Sequence, residues 1–179
     1  MTQRVVLLDR DGVLNVDLPT GVLRREDLTM EPAAAAAVAR LNAAGYRVVV
    51  VTNQACVGRG ELAPEELGQI NAAIDAAVVA AGGQIDAWYC CVHPAEQGCA
   101  CRKPAPGLIH QAQADWDFEP AATWLIGDAA RDLAAAEAAG CRPLLVRTGK
   151  GRTTEAERSD IPAVDDLAAA VDLIVEGAR

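Results

Sequence analysis

Leu7-Leu8-Asp9-Arg10-Asp11-Gly12-Val13-Leu14-Asn15 is the stretch on which the fold turns. The apolar run from Val5 to Leu8 reads as a buried strand. It ends in two acids spaced D-x-D, followed by a glycine. Asp and Gly are common turn residues, so a polar turn is the plain reading. Two carboxylates at the end of a buried strand are costly to desolvate unless a cation or a phosphoryl group compensates. The rest of the chain decides between the two by supplying the partners such a site needs.

Outward from that strand, apolar strands and helices alternate. A polar loop runs from Asn15 to about Met30, then Pro32 opens a helix over residues 33–44 that stops at Gly45. The β-branched run 46–51 is a second strand ending in Thr52-Asn53-Gln54, buried on both faces. Pro64 starts a long helix to about residue 81, with Leu67, Ile70, Ile74 and Val78 at helical spacing. Further strands are expected at 85–89, 123–126 and 144–146, with helices at 106–116 and 133–139. Asp165 or Asp166 caps a last helix ending near Val175. The pattern predicts an α/β fold: a three-layer, doubly wound parallel sheet, Rossmann-like, in one domain over residues 1–179. Such sheets bind ligands at the carboxyl ends of their strands. Asp9 and Asp11, Thr52 and Asn53, and Asp128 all fall there.

Composition narrows the partners. The formal net charge is −9, which disfavours nucleic acid and an anionic membrane surface. No apolar run approaches the ~20 residues of a membrane-spanning helix. The first residues, Met1-Thr2-Gln3-Arg4, carry no signal-peptide pattern, so a cytoplasmic protein is expected; a monomer is expected as well. Its six cysteines are then thiols or ligands rather than disulfides.

The chemistry-bearing groups converge on phosphoryl transfer. Asp9 can be a carboxylate nucleophile, and Asp11, on a different side of the turn, a general acid and base. Asp128, after Gly127, can complete a Mg²⁺ site with Asp9 and a backbone carbonyl. Thr52 offers a hydroxyl to phosphate oxygens, Lys103 a compact positive charge, and Arg102 a fork for a second anion. A second cluster reads C-x-H, five intervening residues, then C-x-C: Cys91, His93, Cys99 and Cys101. Four soft ligands suit a closed, structural Zn²⁺ site in a loop at about 90–103, holding Arg102 and Lys103 in place. Cys90 is a spare first ligand. Cys56 and Cys141 are expected to pack as small apolar residues, and His110, Arg24-Arg25 and the basic turn Gly149-Lys150-Gly151-Arg152 to be solvated.

Asp9-Arg10-Asp11-Gly12-Val13-Leu14-Asn15, Thr52-Asn53-Gln54, Cys99-Ala100-Cys101-Arg102-Lys103-Pro104, and Gly127-Asp128 with Asp132 resemble the four motifs of the haloacid dehalogenase (HAD) superfamily. They resemble most its small, capless, zinc-bearing branch. The resemblance spans roughly residues 4–152. It implies Asp9 as nucleophile and Asp11 as acid/base, with Thr52, Asn53 and Lys103 on the transferring phosphate. It implies Mg²⁺ on Asp9, the Asp11 carbonyl and Asp128, Asp132 in support, Zn²⁺ on the Cys/His cluster, and Arg102 at the substrate's other end. The substrate implied is a small phosphorylated sugar. Asn15-Val16-Asp17 and Val146 through Gly151 are similar to the branch's heptose-bisphosphate phosphatases. The short His93–Cys99 spacing is closer to its histidinol-phosphate phosphatases. Leu18-Pro19-Thr20-Gly21, in place of an aromatic and glycine, and Ala129, in place of a basic residue, depart from the heptose pattern.

Overall fold

In a computed structural model, residues 2–177 are described, so Met1 of the N-terminal stretch lies outside them. Six parallel strands form one sheet: β1 Val5–Leu8, β2 Arg47–Asn53, β3 Ala87–Cys91, β4 Trp124–Gly127, β5 Arg142–Val146 and β6 Ala163–Val164. Their order is β3-β2-β1-β4-β5-β6. The chain winds outward from β1 through β2 and β3, then crosses back to lay β4 against the other side of β1. That reversal opens a crevice at the carboxyl ends of β1 and β4. No large cap covers it.

The helices are α1 Ala34–Ala43, α2 Ala55–Gly58, α3 Pro64–Ala80, α4 Gly107–Trp116, α5 Ala130–Ala138, α6 Gly151–Glu157 and α7 Leu167–Glu176. Strand alternation divides the core between two faces. Val6, Leu8, Val48, Val50, Ile126 and Leu144 face Leu41 of α1, Ile74 of α3 and Val171 of α7. Val5, Leu7, Val49, Val51 and Leu125 face Ile109 of α4 and Ala136 of α5. A smaller cluster of Val22, Cys56, Leu62, Leu67 and Ile70 seats the loop after β1 on α3. Small alanines on α1 and α5 let these helices lie close to the sheet, which is why so few aromatics suffice.

Most expected elements stand within a residue or two. Pro64 is the first residue of α3, and Asp166 caps α7 by accepting from the Ala169 N–H at 2.9 Å. Several expectations change: α5 begins at Ala130, three residues early, and neither α2 nor β6 was expected. The third strand lies two residues later than periodicity indicated, so Cys90 and Cys91 are on β3 rather than beyond it. Pro106 precedes α4 instead of opening it. The basic turn is exposed at Gly149, Lys150 and Arg152, as expected, but it is not a free loop: Gly149 packs on Asp128, and the buried Gly151 begins α6. Lys150 stands at the N-cap position and makes no side-chain cap, so no capping signal marked the helix. Cys56 and Cys141 are buried, and His110, Arg24 and Arg25 are exposed, as expected.

Candidate active site

Asp9 follows β1 and Asp128 follows β4, so adjacent strands deliver both acids to the crevice. Asp9 is 3% exposed. The Arg10 N–H donates to its Oδ1 at 2.8 Å, and Lys103 Nζ stands 3.0 Å from the same oxygen. Lys103 is itself buried. It donates to the Val51 carbonyl at 2.8 Å and pairs with Asp132 Oδ1 at 2.7 Å. All three ammonium donors are thereby directed, and the lysine stays charged: burial works against the cation, but Asp132 and Asp9 outweigh it. Burial, joined by the charge of Asp132, pushes the Asp9 carboxyl up to about 6, against the pull of Lys103.

Asp128 is fully buried. Its Oδ2 accepts the Lys150 N–H at 2.7 Å, while Oδ1 has no hydrogen-bond partner among the described residues. Burial and the neighbouring Asp9 raise its carboxyl to about 7. Two glycines press on it. A Cβ at Gly12 (φ +81°) would lie 2.3 Å from Asp128 Oδ2, and one at Gly149 (φ +53°) 2.2 Å away. An orphaned buried carboxylate oxygen beside a second carboxylate is a donor set that a hard divalent cation fits. Asp132 lies in the same acid cluster. However, its Oδ1 faces Lys103 and its Oδ2 accepts the Ala129 N–H at 3.0 Å, so both oxygens are in use.

Asp11 turns the other way. Arg10 grips it with Nε and Nη2, at 3.2 and 2.8 Å on Oδ1. Asn15 Nδ2 donates to Oδ1 at 3.0 Å and Gln54 Nε2 to Oδ2 at 2.8 Å. Burial pushes this carboxyl upward, but the Arg10 charge and these hydrogen bonds win and hold it below the usual carboxylate range. Gln54 Nε2 also donates to Thr52 Oγ1 at 3.0 Å, linking two of the expected site groups. The Asn53 side chain exchanges two hydrogen bonds with the Lys103 backbone, at 3.0 and 3.1 Å. Its oxygen and one of its two N–H donors are thereby engaged in fixing Lys103, and the residue also lines the cleft above Asp11.

The Cys/His cluster assembles as its spacing implied. Cys91 Sγ is 3.6 Å from Cys99 Sγ and 3.3 Å from Cys101 Sγ, and His93 Nδ1 is 3.2 Å from Cys101 Sγ. Tetrahedral Zn²⁺ with bonds of ~2.3 Å to sulfur puts its ligands about 3.5–3.8 Å apart, so four such atoms fit the ion. The alternation of β3 decides between the neighbouring cysteines. Cys91 faces the cluster, whereas Cys90 faces α3, where Asn71 Nδ2 lies 3.8 Å from its sulfur. Arg102 Nη1 donates to the His93 carbonyl at 3.4 Å, tying the loop to the crevice.

Above Asp11 a cleft is lined by Asp17, Arg59, Arg102, Arg131 and Lys150. It gathers cations in a chain that is acidic overall. Sequence reasoning gave no role to Arg10, Gln54, Arg131 or Lys150. Arg10 lies inside the Asp9–Asn15 stretch and Gln54 at the end of Thr52-Asn53-Gln54. Arg131 stands in the first turn of α5 just before Asp132, a position that a helix beginning after Asp128 would have pointed at the cleft.

A parallel sheet of this order, with acids after β1 and β4 and a buried lysine between them, defines a HAD-like hydrolase. Residues 100–171 match the HAD-hydrolase-like family model. The chain belongs, more narrowly, to the family of D-glycero-beta-D-manno-heptose-1,7-bisphosphate 7-phosphatases. It is 37% identical to the Bordetella bronchiseptica enzyme of that name, covering 98% of this chain and 99% of that protein. It is 36% identical to the Pseudomonas aeruginosa enzyme over 86% of each. The crystal structure of D,D-heptose 1,7-bisphosphate phosphatase from B. bronchiseptica with magnesium and phosphate superposes with a TM-score of 0.95 at 36% identity, covering 98% and 99% of the two chains. The Burkholderia thailandensis enzyme gives 0.73 at 36% identity, over 94% and 96%.

Proposed function

We propose that this protein is a Mg²⁺-dependent phosphatase that removes the 7-phosphate of D-glycero-D-manno-heptose 1,7-bisphosphate, acting as a single cytoplasmic, monomeric domain in heptose biosynthesis. The observation that carries the chemistry is the meeting of Asp9, Lys103 and Asp128 at the β1–β4 crevice. The near full-length family match carries the substrate. Asp9 attacks phosphorus, and the phosphoryl group passes from the sugar oxygen to its carboxylate. Asp11 must hold a proton when the ester is bound, against the pull of Arg10, and it gives that proton to the departing 7-oxygen. It then takes one from the water that hydrolyses the aspartyl-phosphate, restoring both acids. Lys103 and the Thr52 hydroxyl meet the phosphate oxygens, with Asn53 acting on the phosphate through its hold on Lys103. Mg²⁺ held by Asp9, Asp128 and the Asp11 carbonyl neutralises charge that builds on the transferring group. Asp132 keeps Lys103 charged and in place.

Zn²⁺ on Cys91, His93, Cys99 and Cys101 fixes the loop that presents Arg102 and Lys103. Arg102 meets the phosphate that is not cleaved, among the cleft's other cations. The sugar is small enough to be handled without a large cap. A turnover panel of heptose 1,7-bisphosphate, histidinol phosphate and fructose 1,6-bisphosphate tests the reading. The heptose ester is expected to have the highest kcat/KM, with release from the 7-position. Preference for histidinol phosphate would overturn the substrate. Phosphate binding without turnover of any ester would overturn the enzyme.

A further inference from the structure

Arg10 is fully buried yet belongs to no step of the reaction. Its side chain is 0% exposed, so it cannot reach a substrate. Its planar fork covers Asp11: Nη2 lies 2.8 Å from Oδ1 and 3.1 Å from Oδ2, and Nε lies 3.2 Å from Oδ1. Its Nη1 donates to Asn71 Oδ1 of α3 at 3.4 Å, which steadies the guanidinium from behind. A buried arginine is expensive, and its ion pair with Asp11 does not cross-link distant parts of the chain, since the two are sequence neighbours. A fork held by a helix and closed on a carboxylate does, however, fix the plane of that carboxylate as no single donor can.

We propose that Arg10 is a positioning residue that acts through Asp11, setting the plane from which the Asp11 carboxyl meets the leaving oxygen. The inference rests on the reading of Asp11 as general acid and base. Asn15 and Gln54 complete the cradle on the two remaining sides. Without the fork, Asp11 keeps one amide donor on each oxygen but loses the rigid planar partner that aligns both. An error of about 1 Å at a reacting group costs on the order of 100-fold. The deficit is selective. A sugar alkoxide is a poor leaving group and needs its proton as the P–O bond breaks. A nitrophenolate leaves without one.

The test compares first-turnover rates of Arg10→Met, Arg10→Lys and Asp11→Asn on heptose 1,7-bisphosphate and on p-nitrophenyl phosphate. General acid catalysis is typically worth ~10²–10⁴-fold, so Arg10→Met is expected to lose about 100-fold on the sugar ester. Its burst of p-nitrophenolate and its KM should change by less than about 3-fold. Arg10→Lys, which restores charge without the fork, should recover little. Equal losses on both esters, full recovery by lysine, or no loss at all would overturn the role of Arg10. If Asp11→Asn itself shows no difference between the esters, the acid/base reading fails first. If Asp11→Asn shows it and Arg10→Met does not, only the Arg10 inference falls. Should Arg10→Met not fold, as judged by zinc content and melting, Asn71→Ala removes the support behind the fork. It is expected to show the same ester selectivity at a smaller loss, and its absence would overturn the proposal.

Discussion

At the residue scale, the two acids of the opening motif have opposite surroundings. Asp9 sits in a crowd of carboxylates and is raised to about 6; Asp11 sits under Arg10 and is lowered. Asp9→Asn is expected to abolish turnover of heptose bisphosphate while leaving the melting temperature within a few degrees. Steady-state phosphate release checks it. The raised values of Asp9 and Asp128, about 6 and about 7, carry a pH dependence. Both carboxyls bind protons more tightly folded than unfolded. The metal-free fold therefore loses their contribution as pH rises from about 4 to about 7. Mg²⁺ needs both deprotonated, so its affinity should climb through pH 6–7 and level off above. Melting curves at pH 5.5 and 8, with and without Mg²⁺, report both signs. Gly12→Ala drives a Cβ into Asp128 Oδ2, 2.3 Å away, at a φ of +81°. A disturbance next to a metal ligand typically costs 10–100-fold in affinity, and calorimetric Mg²⁺ titration is expected to show a loss in that range. Asp9, Asp11 and Asp128 were legible because they stand where apolar strands end, and Lys103 because it follows the C-x-C pair of the Cys/His cluster. Arg10 was not, because nothing local shows that an arginine after a strand will fold back beneath its neighbour.

At the scale of elements, period-2 and period-3.6 patterns placed β1, β2, α3 and α7 well, since each has long or continuous apolar faces. They failed where chain neighbours supply no period. The five residues of β3 end in two cysteines, whose small apolar character resembles a strand's while their chemistry suggested a loop. The same strand settles which cysteine faces the metal cluster. Cys101→Ser is expected to lose zinc and loosen Arg102 and Lys103, with metal content falling and kcat dropping together. Cys90→Ser should retain its zinc. Helix α3 carries Ile74 into the core against α1 and Asn71 to Arg10. Ile74→Ala should destabilise by about 2–5 kcal/mol, measured as a lower urea midpoint at unchanged slope.

At the scale of the molecule, the strand order does what no single motif could. Strict alternation announced a parallel sheet, but not that β4 returns to the side of β1 opposite β2. That return brings Asp128 next to Asp9, and the segment after β5 then closes over both. The Thr148 hydroxyl donates to the Gly12 carbonyl at 2.6 Å, and the Lys150 N–H to Asp128. Contacts between residues 136 positions apart leave no local trace, which is why the exposed basic turn gave no sign of its packing on Gly12 and Asp128. The acidic balance of the chain has a counterpart in the cleft where Arg59, Arg102, Arg131 and Lys150 gather, a local field suited to an anionic sugar phosphate. Among the described residues no helix is long and apolar enough to cross a membrane. The most direct measurement is rapid acid quenching of the enzyme during turnover of heptose 1,7-bisphosphate, followed by peptide mass spectrometry. A phosphoryl group on the peptide bearing Asp9, appearing and decaying with the 7-phosphate, is the expected result. Phosphate release at full rate with no phosphoryl group on Asp9, or with the group on another side chain, would contradict it.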